Sequence, residues 1–156
     1  MIIAVSCNNH KADNKRDSKS ASNKKTNYFV KRVIDGDTFV LEDDTRVRFI
    51  GIDTPETKHP RKPKQPYGQA ASDFTRKMVE GKYVKLTFDK DRYDRYKRLL
   101  AYVYIDGVFL NAELVKRGLA RATEYKPNVK FSKLFKKLEN KAKADKVGMW
   151  SGRYMK

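Results

Sequence analysis

Acidic and hydroxyl side chains gather with one arginine in a single short segment, residues 35–56, which reads DGDTFVLEDDTRVRFIGIDTPE. Carboxylate oxygens are the ligands that hard cations such as Ca²⁺ and Mg²⁺ prefer, and a nearby guanidinium group binds phosphate. A cation and an arginine directed at one place indicate phosphodiester chemistry. The candidate residues in this segment are Asp35, Asp37, Arg48, Asp53, Thr54 and Glu56.

Two β-like runs separate the acids of this segment and predict how they meet. Thr38–Glu42 and Thr45–Ile52 alternate their side chains as a half-buried hairpin requires. Tyr28–Ile34 is predicted as a preceding strand, so tight turns would join three strands into a meander. Because a meander returns the chain to its starting end, we expect Asp37 to lie near the turn at 53–56. Converging carboxylates repel one another, so a bound metal is a simpler account than two ordinary turns.

A second group of charged and aromatic residues, DRYKR at 94–98, precedes the predicted strand Leu99–Ile105. Runs of surface charge are usually only solvated. An arginine beside a tyrosine ahead of a barrel strand is also well placed to bind a phosphate and to stack a base. Taken alone, this segment leaves both interpretations open.

The composition is strongly basic, with 36 Lys and Arg against 19 Asp and Glu and a formal net charge of +17. This balance favours a polyanionic partner, either nucleic acid or an anionic membrane surface. A basic domain held on a membrane would explain the charge but not the clustered acids. Cys7 is the single cysteine, which excludes an internal disulfide and a cysteine-based zinc site. His10 and His59 lie outside any metal-ligand spacing.

The residue types divide the chain into a leader and tether at 1–26, a folded domain at 27–151 and a short tail at 152–156. Residues 1–7 are apolar but too short for a complete secretory signal. Their last four residues, Ala-Val-Ser-Cys, resemble a lipoprotein cleavage site with lipid on Cys7. A truncated signal with an inert cysteine is the alternative. Residues 8–26 are polar and predicted to be disordered. We expect a protein that is secreted or anchored at the cell surface.

Helical periodicity begins only after the first three predicted strands. The predicted helices are Tyr67–Glu80, Asn111–Arg117 and Phe131–Lys146, with Asn111 as the cap of the second. The remaining predicted strands are Tyr83–Phe88, Leu99–Ile105 and Val108–Leu110. About five strands, with helices inserted late, predict an α+β fold that is mainly a β barrel with helices against it. The lysines of the third helix are interpreted as a solvated face.

The order of these motifs resembles the staphylococcal nuclease (thermonuclease) family from Tyr28 to Trp150, which is nearly all of the predicted ordered chain. The similar segments are DGDT at 35–38, Arg48 ahead of DTPE at 53–56, DRYKR at 94–98 ahead of LAY at 100–102, TKHP at 57–60, YG at 67–68, FT at 74–75, KMVE at 77–80 and YKP at 125–127.

This resemblance implies an OB-fold, a five-stranded barrel with three helices packed against it. It also implies Ca²⁺-dependent hydrolysis of DNA and RNA at the 5′-oxygen side, which leaves 3′-phosphate ends. By position, Asp37, Asp53 and the backbone carbonyl of Thr54 would bind one Ca²⁺ per domain. Asp35 would support these ligands without touching the ion.

The resemblance also implies the catalytic roles. Glu56 would position or deprotonate the attacking water, and Arg48 and Arg98 would bind the phosphate. The implied nucleotide-binding residues are Arg95, Tyr96 and Tyr125. The implied partners are DNA and RNA substrates, with no obligate protein partner; we expect a monomer whose only membrane contact would be a lipid on Cys7.

Four positions depart from the family pattern. Lys97 occupies a place where the family prefers glycine or glutamine, which would alter the loop that holds Arg98. Thr123 replaces a tyrosine and would weaken stacking on the nucleotide. Phe39 and Phe49 replace aliphatic residues, a change of packing only. The alternative function is a non-catalytic OB-fold domain that binds nucleic acid, but such domains usually lose the carboxylates or arginines retained here.

Overall fold

The computed structural model describes residues 27–57 and 66–152. The predicted leader and tether at 1–26, including Cys7, lie outside the described residues, as do positions 58–65 of the basic loop and 153–156 of the tail. The inferences about those segments, and the domain boundaries drawn from them, stay predictions. None of the helices among the described residues has the length and hydrophobicity that a membrane span requires.

A sheet that closes on itself forms the centre of the fold. Five strands neighbour one another in the order β3 (Arg46–Phe49), β2 (Thr38–Leu41), β1 (Asn27–Asp35), β5 (Tyr83–Thr87) and β6 (Leu99–Ile105). Strand β3 also pairs in parallel with β6, which closes the barrel. The predicted OB-fold, a five-stranded barrel with three helices, is confirmed. The elements are β1 (Asn27–Asp35), β2 (Thr38–Leu41), β3 (Arg46–Phe49), β4 (Ile52–Asp53), α1 (Gly68–Val79), β5 (Tyr83–Thr87), β6 (Leu99–Ile105), β7 (Val108–Phe109), α2 (Leu110–Lys116), β8 (Arg121–Ala122), α3 (Ser132–Ala144) and a 3₁₀ turn at Gly148–Ser151.

Alternation along β3 separates the core from the candidate site. Val47 and Phe49 are 0% and 2% exposed, and successive side chains of a strand point to opposite faces. Arg48, between them, therefore points away from the interior. Phe49 packs edge-to-face on Phe39, with ring centroids 5.5 Å apart, so the two phenylalanines fill the barrel together.

The predicted strand Thr45–Ile52 is not continuous, and this prediction was wrong. β3 ends before Gly51, whose φ of +77° turns the chain ahead of β4. That backbone region strains any residue with a side chain, and a Cβ on Gly51 would lie 2.5 Å from the ring of Phe135. The bend lets β3 remain paired with β6 while β4 pairs with β8, where Asp53 is opposite Arg121.

Asn111 does not cap α2, contrary to the prediction. The helix begins at Leu110, and Phe109 occupies the capping position without a side-chain hydrogen bond. Asn111 is fully buried, donates to the Ile50 carbonyl at 2.9 Å and accepts the Val103 N–H at 2.9 Å. Buried backbone groups need partners, and this amide supplies two of them beside the bend that follows β3.

The other two helices lie close to their predicted bounds, and α3 attaches the end of the chain to the barrel. Phe131 packs edge-to-face on Tyr102 of β6, with ring centroids 4.7 Å apart. Glu139 is 4% exposed and accepts the Ala122 N–H at 3.2 Å. Helix α3 therefore also holds β8, and through it β4, against the barrel.

Replacing Gly51 by Ala should lower the free energy of unfolding by more than the same change at Gly107. Both glycines have a left-handed backbone, with φ of +77° and +78°, which costs another residue roughly 1–2 kcal/mol. A Cβ on Gly107 would meet nothing within 4 Å, whereas on Gly51 it would clash with Phe135. Urea unfolding of both variants measures the difference, and equal losses would show that the contact with Phe135 is unimportant.

Candidate active site

Asp37, in the turn between β1 and β2, is a buried carboxylate, 5% exposed, that joins three parts of the chain. Its Oδ2 accepts hydrogen bonds from the N–H and the Oγ1 of Thr54 at 2.8 and 2.9 Å. The same oxygen pairs with Nη1 of Arg48, and Thr38 donates to Oδ1 at 3.1 Å. A buried charge is unfavourable unless it is paired. These donors therefore fix the turn, β3 and the segment after β4 around one carboxylate.

Arg48 links the two acids that were predicted to bind metal. Its Nη2 donates to Oδ1 of Asp53 at 2.7 Å, while Nη1 contacts Asp37. In the barrel Arg48 lies opposite Thr38 of β2 and opposite Leu100 of β6, so strand pairing determines where the guanidinium lies. The two acids expected to converge are brought to one point.

The turn that carries Asp35 is fixed by helix α1. The Asp35 carboxylate accepts the Gly36 N–H at 2.8 Å and the Thr57 hydroxyl at 3.3 Å. The Gly36 carbonyl accepts a hydrogen bond from Oγ1 of Thr75 at 2.6 Å, and a Cβ on Gly36 would lie 2.8 Å from Ala71. Only a residue without a side chain allows this close approach of α1 to the turn.

The carboxylates of the site are close enough to act on one another electrostatically. Burial raises the pKa of the Asp35 carboxyl, a backbone hydrogen bond opposes the rise, and the charges of Asp37 and Glu56 add to it. Burial also raises the pKa of Asp53, where attraction to Arg48 opposes the rise and the same two neighbouring charges add to it. A cation among these groups would favour their charged forms.

Arg98 is held at the entry to β6 by Asp94. One oxygen of that carboxylate accepts the Tyr96 N–H at 2.9 Å and the Arg98 N–H at 3.0 Å, and the other accepts Nε of Arg98 at 2.7 Å. Although burial raises the pKa of Asp94, the hydrogen bonds and the charge of Arg98 hold it below its ordinary value. No role was predicted for Asp94, although an aspartate that caps its own turn is a recognisable signal.

Lys97 is the position where the resemblance leads one to expect glycine or glutamine. Its φ of +60° lies in the left-handed region, which explains a preference for glycine there. The turn still closes with lysine in place: the Lys97 N–H donates to the Asp94 carbonyl at 2.9 Å, and the Asp94 N–H donates to the Arg98 carbonyl at 3.1 Å. The departure leaves the Arg98 loop closed.

Arg48 and Arg98 border one surface cavity of about 580 Å³. Arg95 and Arg98 lie 4.7 and 5.3 Å from the ring centroid of Tyr96, which gives this wall of the cavity both charge and a stacking surface. Tyr93 also borders the cavity, and sequence reasoning missed it. The five predicted site residues that border the cavity are Arg48, Arg95, Tyr96, Arg98 and Tyr125.

Hydrogen bonds between two loops hold the walls of this cavity together. Asn128 is 5% exposed; its amide donates to the Asp91 carbonyl and accepts the Asp91 N–H, both at 2.8 Å. Asp89 accepts the Lys130 N–H at 3.0 Å and the Tyr102 hydroxyl at 2.8 Å. The loop after β8 is thereby fixed against the loop before β6. Sequence reasoning missed Asn128, because no local pattern signals a pairing across 37 residues.

Comparison with known proteins identifies the family. A model described as "Staphylococcal nuclease homologue" matches residues 46–152. The chain belongs to the staphylococcal nuclease family. It is 46% identical over 126 residues to a thermonuclease of Staphylococcus intermedius, covering 79% of this chain and 75% of that protein. It is 44% identical over 135 residues to a thermonuclease of Staphylococcus hyicus, covering 85% and 79%. It is 46% identical over 134 residues to endonuclease YncB of Bacillus subtilis (strain 168), covering 82% and 63%.

Staphylococcal nuclease family members need a metal ion, and the residues present fit one. Among residues 27–57 and 66–152, no three His, Cys, Asp or Glu side chains form a metal-binding group. The predicted set needs only two carboxylates, Asp37 and Asp53, with the Thr54 carbonyl as a third oxygen. These are hard donors, and one guanidinium already joins the two carboxylates. The donor set suits a hard divalent cation.

Replacing Asp94 by Asn should lower the free energy of unfolding at pH 7, because the charged acceptor for Arg98 is lost. The folded-state pKa of Asp94 is lowered. Its contribution is therefore present above the unfolded pKa of about 3.9 and is lost as the pH falls through the folded value. Urea unfolding should show a wild-type advantage that shrinks below about pH 4.

Asp73→Asn is the matched control, since it removes an exposed pair with Arg76 and should change stability little. A deficit of the Asp94 variant that is the same at pH 7 and at about pH 3 would contradict the lowered pKa as its cause.

Proposed function

We propose that this nuclease hydrolyses phosphodiester bonds of both DNA and RNA with Ca²⁺ as its cofactor, cutting at the 5′-oxygen side and leaving 3′-phosphate ends. Nuclease activity itself follows from the family and from the thermonuclease and endonuclease relatives. The substrate is accordingly a nucleic acid, which suits the net charge of +17. The choice of ion, the tolerance of either sugar and the nature of the ends are the proposed parts.

One observation carries the proposal: two guanidinium groups border a single cavity, and one of them also contacts two carboxylates. Arg48 and Arg98 both border the cavity, and Arg48 also contacts Asp37 and Asp53. A phosphate bound between the arginines would therefore lie next to the candidate cation site. A barrel that only bound nucleic acid would not need this juxtaposition.

Asp37, Asp53 and the Thr54 carbonyl are the groups that would hold the cation, with Asp35 supporting the turn. When bound, Ca²⁺ would neutralise phosphate charge and orient the attacking water. Arg48 would exchange one of its carboxylate contacts for a phosphate oxygen, which a planar guanidinium with five donors can do.

The remaining side chains supply proton transfer and charge stabilisation. Glu56 accepts the proton of the water, and general-base assistance of this kind contributes roughly 10²–10⁴-fold to the rate. Arg48 and Arg98 donate hydrogen bonds to the equatorial phosphate oxygens, on which negative charge is spread during transfer. The bound nucleotide contacts Arg95, Tyr96 and Tyr125.

Hydrolysis of single-stranded DNA and of RNA should require added Ca²⁺ and stop when a chelator is added in excess. The reason is that the ion held by Asp37, Asp53 and the Thr54 carbonyl would neutralise the phosphate and orient the attacking water. Gel analysis of the products should show 5′-hydroxyl ends that polynucleotide kinase labels directly. Undiminished cleavage in excess chelator would refute the metal dependence. Products that need a phosphatase before labelling would refute cleavage at the 5′-oxygen side.

Replacing Glu56 by Gln should leave oligonucleotide binding intact and lower kcat by about 10²–10⁴-fold. The amide has nearly the same size as the carboxylate but cannot accept the proton. Fluorescence anisotropy measures binding, and initial rates at saturating substrate measure kcat. Glu42→Gln, in the exposed turn after β2, is the matched control. Turnover by the Glu56 variant equal to that of the control would remove Glu56 from the mechanism.

We also propose that the enzyme acts outside the cytoplasm, secreted or anchored through lipid on Cys7. The proposal is supported by the resemblance of Ala-Val-Ser-Cys at positions 4–7 to a lipoprotein cleavage site; these residues lie outside the described ones. Cells that express the wild type should incorporate labelled palmitate into the protein, and cells that express Cys7→Ser should not. Equal labelling of the two would exclude Cys7 as the site of attachment.

A further inference from the structure

Exposed tyrosines mark the candidate active-site cavity and one further place on the surface. Among the described residues, Tyr83, Tyr93, Tyr96 and Tyr125 are 65%, 60%, 62% and 68% exposed. The last three border the cavity of the arginines. Tyr83 does not; it borders a second cavity of about 470 Å³. Three of the exposed rings therefore belong to the candidate active site, whereas the exposure of Tyr83 is not explained by that site.

The second cavity places a fixed aromatic ring beside a free cation. Tyr83 and Lys85 are two positions apart on β5, so they lie on the same face and roughly 7 Å apart. Phe29 of β1 lies opposite Tyr83, and the two rings pack edge-to-face with centroids 5.3 Å apart at 64°, a contact that restrains the exposed ring. In the part of the chain that the structure describes, Lys85 is exposed and forms no ion pair with a carboxylate.

The other residues of the cavity would fix the direction in which a strand binds. Tyr104 of β6 lies opposite Lys85 and stacks on Phe109, with centroids 4.6 Å apart at 14°. Asp106, at the turn beyond β6, borders the same cavity and would repel a phosphate. An anionic backbone would therefore lie toward Lys85 and away from that turn.

We infer that the cavity between β1, β5 and β6 is a second binding site for single-stranded nucleic acid, with a base on the ring of Tyr83 and a phosphate at Lys85. A positive side chain next to an aromatic platform is the combination that binds single strands without base preference. The inference rests on the proposed function only in taking nucleic acid as the ligand.

The position of this site predicts a dependence on substrate length. Arg98 immediately precedes β6 and Tyr104 lies near its end, so these two residues are roughly 20 Å apart along the strand, at about 3.3 Å per residue. A stacked strand rises about 3.4 Å per nucleotide, so about six stacked nucleotides reach from one to the other, and an unstacked strand reaches with fewer. A long strand would bind both sites and gain avidity, whereas a dinucleotide would occupy only one.

The test compares the wild type with the double variant Tyr83→Ala and Lys85→Ala, in the presence of chelator so that no cleavage occurs. Anisotropy titrations use fluorescein-labelled dT30 and dT2. We expect the variant to bind dT30 about five- to tenfold more weakly, since loss of one stacked base costs at least about fivefold, and to bind dT2 like the wild type. The slope of log K against log salt should fall by about 0.7 for the lost phosphate contact.

Lys137→Ala is the charge-matched control, because Lys137 is an exposed lysine of α3 that borders neither cavity. It should change dT30 affinity by less than about twofold. Lys85→Glu is a second variant with little risk to folding, since the side chain is exposed. It should bind dT30 more weakly than the wild type, because it places a negative charge at the proposed phosphate position. Circular dichroism melting curves confirm that each variant is folded.

Unchanged dT30 binding by the double variant would overturn the inference, as would an equal loss for dT2 and dT30. Wild-type self-association that the variant abolishes, with dT30 affinity unchanged, would assign the surface to protein contacts and would also overturn it. Hydrolysis of dT2 with Ca²⁺ is measured separately and tests only the active-site proposal. Failure of that proposal would therefore leave the binding result intact.

Discussion

The buried carboxylate of Asp37 is the interaction on which the site and much of the fold depend. It accepts two hydrogen bonds from Thr54 and pairs with Arg48 through one oxygen. Hydrogen bonds to charged groups contribute about 1.5–3 kcal/mol each, and a buried charge without partners is costly. The β1–β2 turn, β3 and the segment after β4 must therefore come together for the charge to be buried at all. Burial of Asp37 therefore requires the same arrangement of strands that brings Arg48 and Asp53 together.

Closure of the barrel and the bend after β3 then distribute the functional groups. Parallel pairing of β3 with β6 puts Arg48 beside Leu100, two residues from Arg98, so both guanidinium groups reach one cavity. The bend at Gly51 takes the chain out of the barrel and into a pair with β8, which carries Asp53 back toward Arg48. A continuous strand would have carried Asp53 past the site.

Periodicity was enough to predict the barrel, because the interior of a barrel selects every second residue. The strand Leu99–Ile105 has its predicted bounds. The bend could not be predicted in this way, since Ile50 and Ile52 on either side of it are both buried and the apolar run passes through without a break. Asn111 was misjudged for a related reason: its type signals a local cap, but its partners are set by tertiary pairing of distant strands.

Spacing alone predicted that the acids converge, and the family resemblance added the role of each residue. The lysines of α3 show why charge by itself says little about function. Lys136 and Lys143 pair with Glu139, and Lys141 pairs with Asp145, as expected for a solvated helix face. Lys85 has no such carboxylate partner among the described residues and lies beside a fixed, exposed ring. In a chain this basic, net charge alone does not locate a nucleic-acid surface. An unpaired cation next to an exposed aromatic side chain is a more specific indication of one.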